Sequence, residues 1–319
     1  MQKGKHLNLI IESCLMDAFT VEVDRAYVEP FIRGFEGKLP QVDMKNAEFY
    51  LYKIPPKQEP GDVHVKRLEA LKVLRSKEIL KFESFLERNR ALPVIKIKTD
   101  RASYVIKPTH SQVSEKLFED SQKNIRFETY TSELASKLGI GPKFYGVNYF
   151  NPRMLLMAEE CISEDNRWNA MYRYAGKLDL KVFPEILGKM VGRLHKSQSW
   201  KNWDNHECQG HLWYKDRVLL HLFCNPKTDT LHLVDFGNAE LIYPERFKND
   251  KIAKSRLLWE VEKVATELID YAFPFERGIM HKNVGKYKNV LDAFSNAYSE
   301  ETGTYFKLGC LKWARKSLS

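Results

Sequence analysis

A hairpin that delivers an aspartate into a glycine turn is the narrowest constraint on this chain. Val218-Leu-Leu-His-Leu-Phe223 and Leu231-His-Leu-Val234 flank the polar turn Asn225-Pro-Lys-Thr-Asp-Thr230, the pattern of two paired strands. The second strand runs into Asp235-Phe236-Gly237-Asn238-Ala239. A carboxylate at the end of a buried strand, followed by a glycine turn, can coordinate a Mg2+ ion that bridges phosphates. With 319 residues, 43% of them hydrophobic, the chain is long and apolar enough for a large core plus a smaller module.

Upstream, Val94-Ile-Lys-Ile-Lys98 and Ser103-Tyr-Val-Ile-Lys107 alternate as strands around a turn at Thr99–Ala102. A helix over Glu115–Lys137 follows, carrying Glu128 and Glu133, and then the turn Gly139-Ile-Gly-Pro142. Arg153-Met-Leu-Leu-Met157-Ala-Glu-Glu160 returns to strand. Leu187–His195, Lys254–Phe273 (with Leu257, Leu258, Val261, Val264 and Leu268 as its apolar side) and Val290–Tyr298 read as helices.

This succession resembles the protein kinases, RIO-like kinases in particular. The resemblance implies a two-lobed domain over residues 93–319, with a small lobe near 93–160 and a large lobe near 161–319. It implies ATP and Mg2+ as cofactors and transfer of a phosphoryl group to a protein hydroxyl. Lys107 would grip the phosphates, aligned by Glu128, with Glu133 the weaker alternative. Met157 and Glu159 would contact the cofactor at the adenine end, and Asp235 and Asp216 would hold the metal. Two departures stand out. Lys98-Thr-Asp-Arg-Ala102 occupies the place of the glycine-rich loop, leaving Lys98 and Arg101 to cradle phosphates. In the catalytic-loop stretch Gln209-Gly-His-Leu-Trp-Tyr-Lys-Asp216, His211 replaces the catalytic aspartate and Asp216 the metal-binding asparagine. A neutral imidazole can accept a proton but lacks anionic pull. The competing expectation is therefore a pseudokinase that binds nucleotide or scaffolds other proteins.

The first 60 residues have a different pattern. Leu7, Leu9 and Ile11, then Phe19, Val21 and Val23, alternate as a hairpin. Tyr27, Val28, Phe31, Ile32 and Phe35 recur at helical spacing, and Phe49-Tyr-Leu-Tyr-Lys-Ile54 returns to strand. Through "FTVEVD" (Phe19–Asp24) and "FYLYKIP" (Phe49–Pro55) this region resembles the ubiquitin-like, β-grasp amino-terminal domain of Crinkler proteins. The fold class expected is thus α+β, a small ubiquitin-like (β-grasp) module followed by a two-lobed protein-kinase-like domain. The resemblance implies a secreted or translocated effector acting on a host protein, with the host nucleus as a destination. Pro55-Pro-Lys-Gln-Glu-Pro60-Gly61 breaks the chain, and residues 61–92 read as a charged helical linker.

The net charge of +9 favours acidic partners. The cations are scattered, with no run of four, so nucleic acid is allowed but not specifically supported. No apolar run approaches the ~18 residues of a membrane span, and a soluble chain without a conventional signal peptide is expected. Five widely spaced cysteines read as reduced thiols. Cys208, His211, His221 and Cys224 also have zinc-ligand spacing, nine residues separating the inner pair, which leaves a zinc site as a rival for the same stretch.

Overall fold

The structure is a computed structural model. It describes residues 20–22, 25–40, 44, 46–52, 94–110, 128–151, 154–162, 169–171, 179–225, 228, 230–249, 251–273 and 284–304. The expected strand at 7–11, the linker helix and the first part of the helix expected from 115 lie outside these residues. The described architecture is mixed α/β, built from antiparallel sheets and helices, and divides into two compact units: Met1–Val113 with Lys143–Asn166, and Ser114–Pro142 with Arg167–Ser319.

The first unit is an antiparallel sheet of six strands: β1 (Thr20–Glu22), β2 (Glu48–Tyr52), β3 (Ile95–Lys98), β4 (Ser103–His110), β5 (Phe144–Asn151) and β6 (Met154–Glu160), in the order β1-β2-β3-β4-β6-β5. The sequence suggested a self-contained amino-terminal module. Instead, among the described residues, β2 hydrogen-bonds directly to β3, pairing Phe49 with Ile97 and Leu51 with Ile95. The physical reason is a shared core. Helix α1 (Arg25–Ile32) and the 3-10 turn Arg33–Phe35 bury Val28, Phe31, Ile32 and Phe35 against Phe49, Ile95, Ile97, Tyr104, Ile106, Leu156 and Ala158. A β2 strand kept apart would leave half of that apolar face wet. Lys38 Nζ donates to the Val147 carbonyl at 3.0 Å, and the Tyr104 hydroxyl to the Pro40 carbonyl, fastening the segment after α1 to β5 and β4.

The second unit contains α2 (Glu128–Lys137), β7 (Asn169–Ala170), α3 (Phe183–His195), β8 (Gln198–Lys201), β9 (Glu207–Trp213), β10 (Leu222–Asn225), β11 (Thr230–Leu233), β12 (Glu240–Ile242), α4 (Pro244–Asn249), α5 (Lys251–Ala272) and α6 (Val284–Thr302). Two three-stranded sheets, β11-β10-β7 and β12-β9-β8, surround a helical core. Leu187, Val191, Leu194, Val261, Val264, Leu268 and Phe294 fill it. Helices α3 and α6 pack close enough that a Cβ on Gly188 would lie 2.3 Å from the Phe294 carbonyl oxygen. No helix among the described residues is long and apolar enough to cross a membrane.

Three local expectations change. The hairpin starts at Leu222, because Val218–Leu220 form a turn closed by His221 N–H on the Val218 carbonyl (3.2 Å). Val218 and Leu219 are both buried, which the alternation of a strand does not allow on one face. The stretch expected as a catalytic loop from Gln209 is mostly strand β9, paired to β8 and β12. Gly210 permits that packing, since a Cβ there would sit 2.8 Å from Leu241 Cδ1 and 2.9 Å from the Ile242 carbonyl oxygen. Leu258, expected on the apolar side of its helix, is 38% exposed.

Candidate functional site

In the first unit, strand register sorts the side chains. Pairing of Lys107 with Met157 and of Lys96 with Val105, in turn opposite Glu159, puts Lys96, Val105, Lys107, Met157 and Glu159 on one face, since directly opposed residues point the same way. The opposite face holds the core under α1. Lys107 Nζ lies 3.0 Å from Glu159 Oε2, a diagonal ion pair whose side chains are 19% and 6% exposed. The sequence assigned Glu159 to the cofactor; the structure makes it a carboxylate partner of Lys107. Met157 is fully buried. Lys96, which the sequence reading passed over, is buried beside them with Nζ 5.0 Å from the Tyr50 ring centroid. The register of the β3–β4 hairpin was the signal that could have found it.

The turn at 99–102 is tight and has no glycine. The Thr99 hydroxyl accepts from the Arg101 and Ala102 amides at 3.2 and 3.0 Å. Of the two cations expected to cradle phosphates, Lys98 pairs with Glu48 at 3.3 Å and Arg101 with Asp100 at 3.5 Å, both at the surface.

In the second unit, helix α2, the Gly139–Pro142 turn and the Asp235 turn form one packed assembly. Gly139, at φ +67°, ends the helix in the left-handed conformation that favours glycine. The Ile140 carbonyl then accepts from Leu233 N–H at 2.7 Å, tying this turn to the strand that leads into Asp235. Phe236 is buried, edge-on to Tyr214 at 5.4 Å. A Cβ on Gly237 would lie 3.4 Å from Asp235 Oδ1 and 3.8 Å from Glu128 Oε2. Glu128 and Asp235 therefore approach the same glycine. Glu133, the weaker candidate, is used structurally: its carboxylate accepts from Trp203 N–H at 2.8 Å and pairs with Lys137 at 2.9 Å.

The two expected metal ligands also come together. His221 Nε2 is 3.9 Å from Asp216 Oδ2, and His221 Nδ1 is 3.9 Å from Asp235 Oδ2, so one imidazole separates the two carboxylates. Asp235 adopts φ +63°, and Lys215, next to Asp216, φ +69°. Each of these left-handed residues costs on the order of 1 kcal/mol, and such strain gathers at functional sites. The loop before Asp216 is held from α5. The buried Glu260 carboxylate accepts from the Tyr214 and Lys215 amides at 3.2 and 2.8 Å and contacts His195 Nε2 at 2.8 Å. His195 Nδ1 lies 3.0 Å from the Tyr298 hydroxyl, whose pKa burial raises. An imidazole carrying its proton on Nε2 satisfies both partners.

His211 has a different setting. It is buried in β9, its Nδ1–H donates to the His195 carbonyl at 2.6 Å, and its ring stacks on Phe247 at 3.9 Å. Burial lowers its pKa, which keeps it neutral. Nor do the four zinc candidates form a cage. Cys208 Sγ meets the Asn202 amide at 3.5 Å, Cys224 pairs with Leu231 across β10–β11, and among the described residues no three His, Cys, Asp or Glu side chains are grouped to hold a metal ion. Mg2+ differs from zinc here. It keeps several waters and takes one or two carboxylates plus phosphate oxygens, so it does not require a cage of three protein ligands.

No family model and no curated protein matches the chain. Among solved structures it is weakly similar to the Cydia pomonella granulovirus kinase PK-1, with a TM-score of 0.36 and 14% identity over 62% of this chain and 73% of that one.

Proposed function

We propose that this chain is a protein-kinase-like domain that binds Mg·ATP, acting as a pseudokinase. The observation that carries the proposal is the pair Asp216 and Asp235 held on either side of His221, with Glu128 against the same glycine turn. In this reading Asp216 and Asp235 hold the ion, which would offset the phosphate charge. The pseudokinase form is favoured by His211: an imidazole buried in β9 and stacked on Phe247 gives a substrate hydroxyl little access to its ring nitrogens. Phosphoryl transfer to a protein hydroxyl is the second reading. The Crinkler-like pattern of the first 60 residues adds the proposal that the chain works on a protein in a host cell.

The test is thermal unfolding with and without Mg·ATP. A ligand at a hundredfold excess over its dissociation constant stabilises by about 2.7 kcal/mol, a clear shift in melting temperature. Asp235→Asn, which tolerates the left-handed backbone, should abolish the shift. No shift in the unaltered protein would end the proposal. Transfer of labelled phosphate that Asp235→Asn removes would replace the pseudokinase with the enzyme.

A further inference from the structure

Helix α5 buries Leu257, Val261, Val264 and Leu268, as its period requires, yet leaves Ile252 62% exposed and Trp259 53% exposed. Ile252, Arg256, Trp259 and Lys263 follow at steps of four, three and four residues, so they share one helix face. That face alternates apolar and cationic side chains. Arg256 lies 5.1 Å from the Trp213 ring centroid, and Lys263 Nζ 5.4 Å from that of Trp259. Lys251 beside the stripe and Lys248 on α4 are exposed as well. The same Lys263 Nζ donates to the carbonyls of Lys215 and Asp216 at 3.0 and 2.9 Å.

We propose that this face of α5 is a docking surface for an acidic peptide segment of a partner protein. Apolar side chains of the segment seat on Ile252 and Trp259, and its carboxylates meet Lys251 and Arg256. Tryptophan and arginine are the residues that most often dominate protein interfaces, and the surrounding charge selects an acidic partner over a basic one. Two other anionic partners fit less well. A helix lying on a membrane needs an apolar face along its length, whereas the exposed stripe turns polar after Trp259, at Glu262 and Thr266. A single nucleic-acid strand needs successive aromatics to stack its bases, and this stripe has one. The proposal does not depend on nucleotide binding. Its contact with the Asp216 loop through Lys263 does give a bound segment a route to that loop.

The experiment is fluorescence anisotropy of the full chain with labelled peptides built only from Asp, Glu, Leu, Phe and Ser. The expected result is binding that weakens with salt and falls at least tenfold in each of Trp259→Ala, Ile252→Ser and Lys251→Glu, while melting temperatures stay near the parent value because all three side chains are exposed. Peptides in which Ser replaces Leu and Phe should also bind at least tenfold more weakly. Peptide binding unchanged in both Trp259→Ala and Ile252→Ser would overturn the proposal. So would absence of binding, or preference for phosphatidylserine vesicles or a single-stranded oligonucleotide that depends on Trp259.

Discussion

Replacing Glu260 by alanine should be among the most damaging single changes in the second unit. The carboxylate is fully buried and accepts from the Tyr214 amide at 3.2 Å, the Lys215 amide at 2.8 Å and His195 Nε2 at 2.8 Å. Truncation strands three buried donors, each costing about 1–3 kcal/mol when unsatisfied. Relaxation and entering water recover part of that, so a loss of about 3–5 kcal/mol is expected, in the range found when one partner of a buried polar pair is removed. Glu260→Gln keeps the shape and one acceptor oxygen, and should lose about half as much by the same bookkeeping. Urea unfolding of the three proteins measures the difference directly. Because the two amides belong to the loop that presents Asp216, Glu260→Gln should also weaken Mg·ATP stabilisation while the protein remains folded. A loss below about 1 kcal/mol for the alanine variant would mean that the network contributes little beyond what water supplies, and the positioning role assigned to Glu260 would be refuted.

Burial pushes the Glu267 carboxyl up to about 7, against the pull of the Leu219 amide, Lys263 and Arg217. The folded state then retains a proton that the unfolded chain has released, so stability should fall as pH rises from about 4.5 to about 7. Glu267→Gln should flatten that slope and stabilise the protein by about 2–3 kcal/mol at pH 8; melting curves across the pH range would expose an unchanged slope. His232, driven by burial to about 4, acts in the opposite sense: stability is lost as pH falls through about 6.5 to 4, and His232→Gln should soften that acid limb. Glu159→Gln leaves the Lys107 ammonium, 19% exposed, without that charged partner and should cost about 1–3 kcal/mol. Adding Lys107→Met should recover part of the loss, which a double-mutant cycle in urea would reveal. His211→Ala should lower stability by about 2–4 kcal/mol through the emptied stacking position yet leave Mg·ATP binding intact, as isothermal titration can check.

Periodicity alone located much of the second unit. The helices around Leu187–His195 and Val261–Leu268, the hairpin ending at Asp235 and the turn at Gly139 are local patterns, and local patterns survive without knowledge of partners. The strand that carries Lys107 was legible too, although it runs on to His110 where the sequence reading ended it at the lysine. What stayed hidden was everything set by register and by burial across long separations. The Lys107–Glu159 pair follows from how β4 slides against β6, and no spacing along the chain encodes that offset. The match to the kinase pattern assigns His211 to a catalytic loop, yet Gly210 and the β12 strand draw it into a sheet. The amino-terminal module looked independent because a proline-rich break follows it, whereas the apolar faces of α1 and β2 find their cover on β3 and β4. Sequence determined which residues could bear charge or coordinate an ion. Tertiary structure decided which of them are exposed and which other groups each one meets, because burial and strand register depend on pairings that only the folded chain makes.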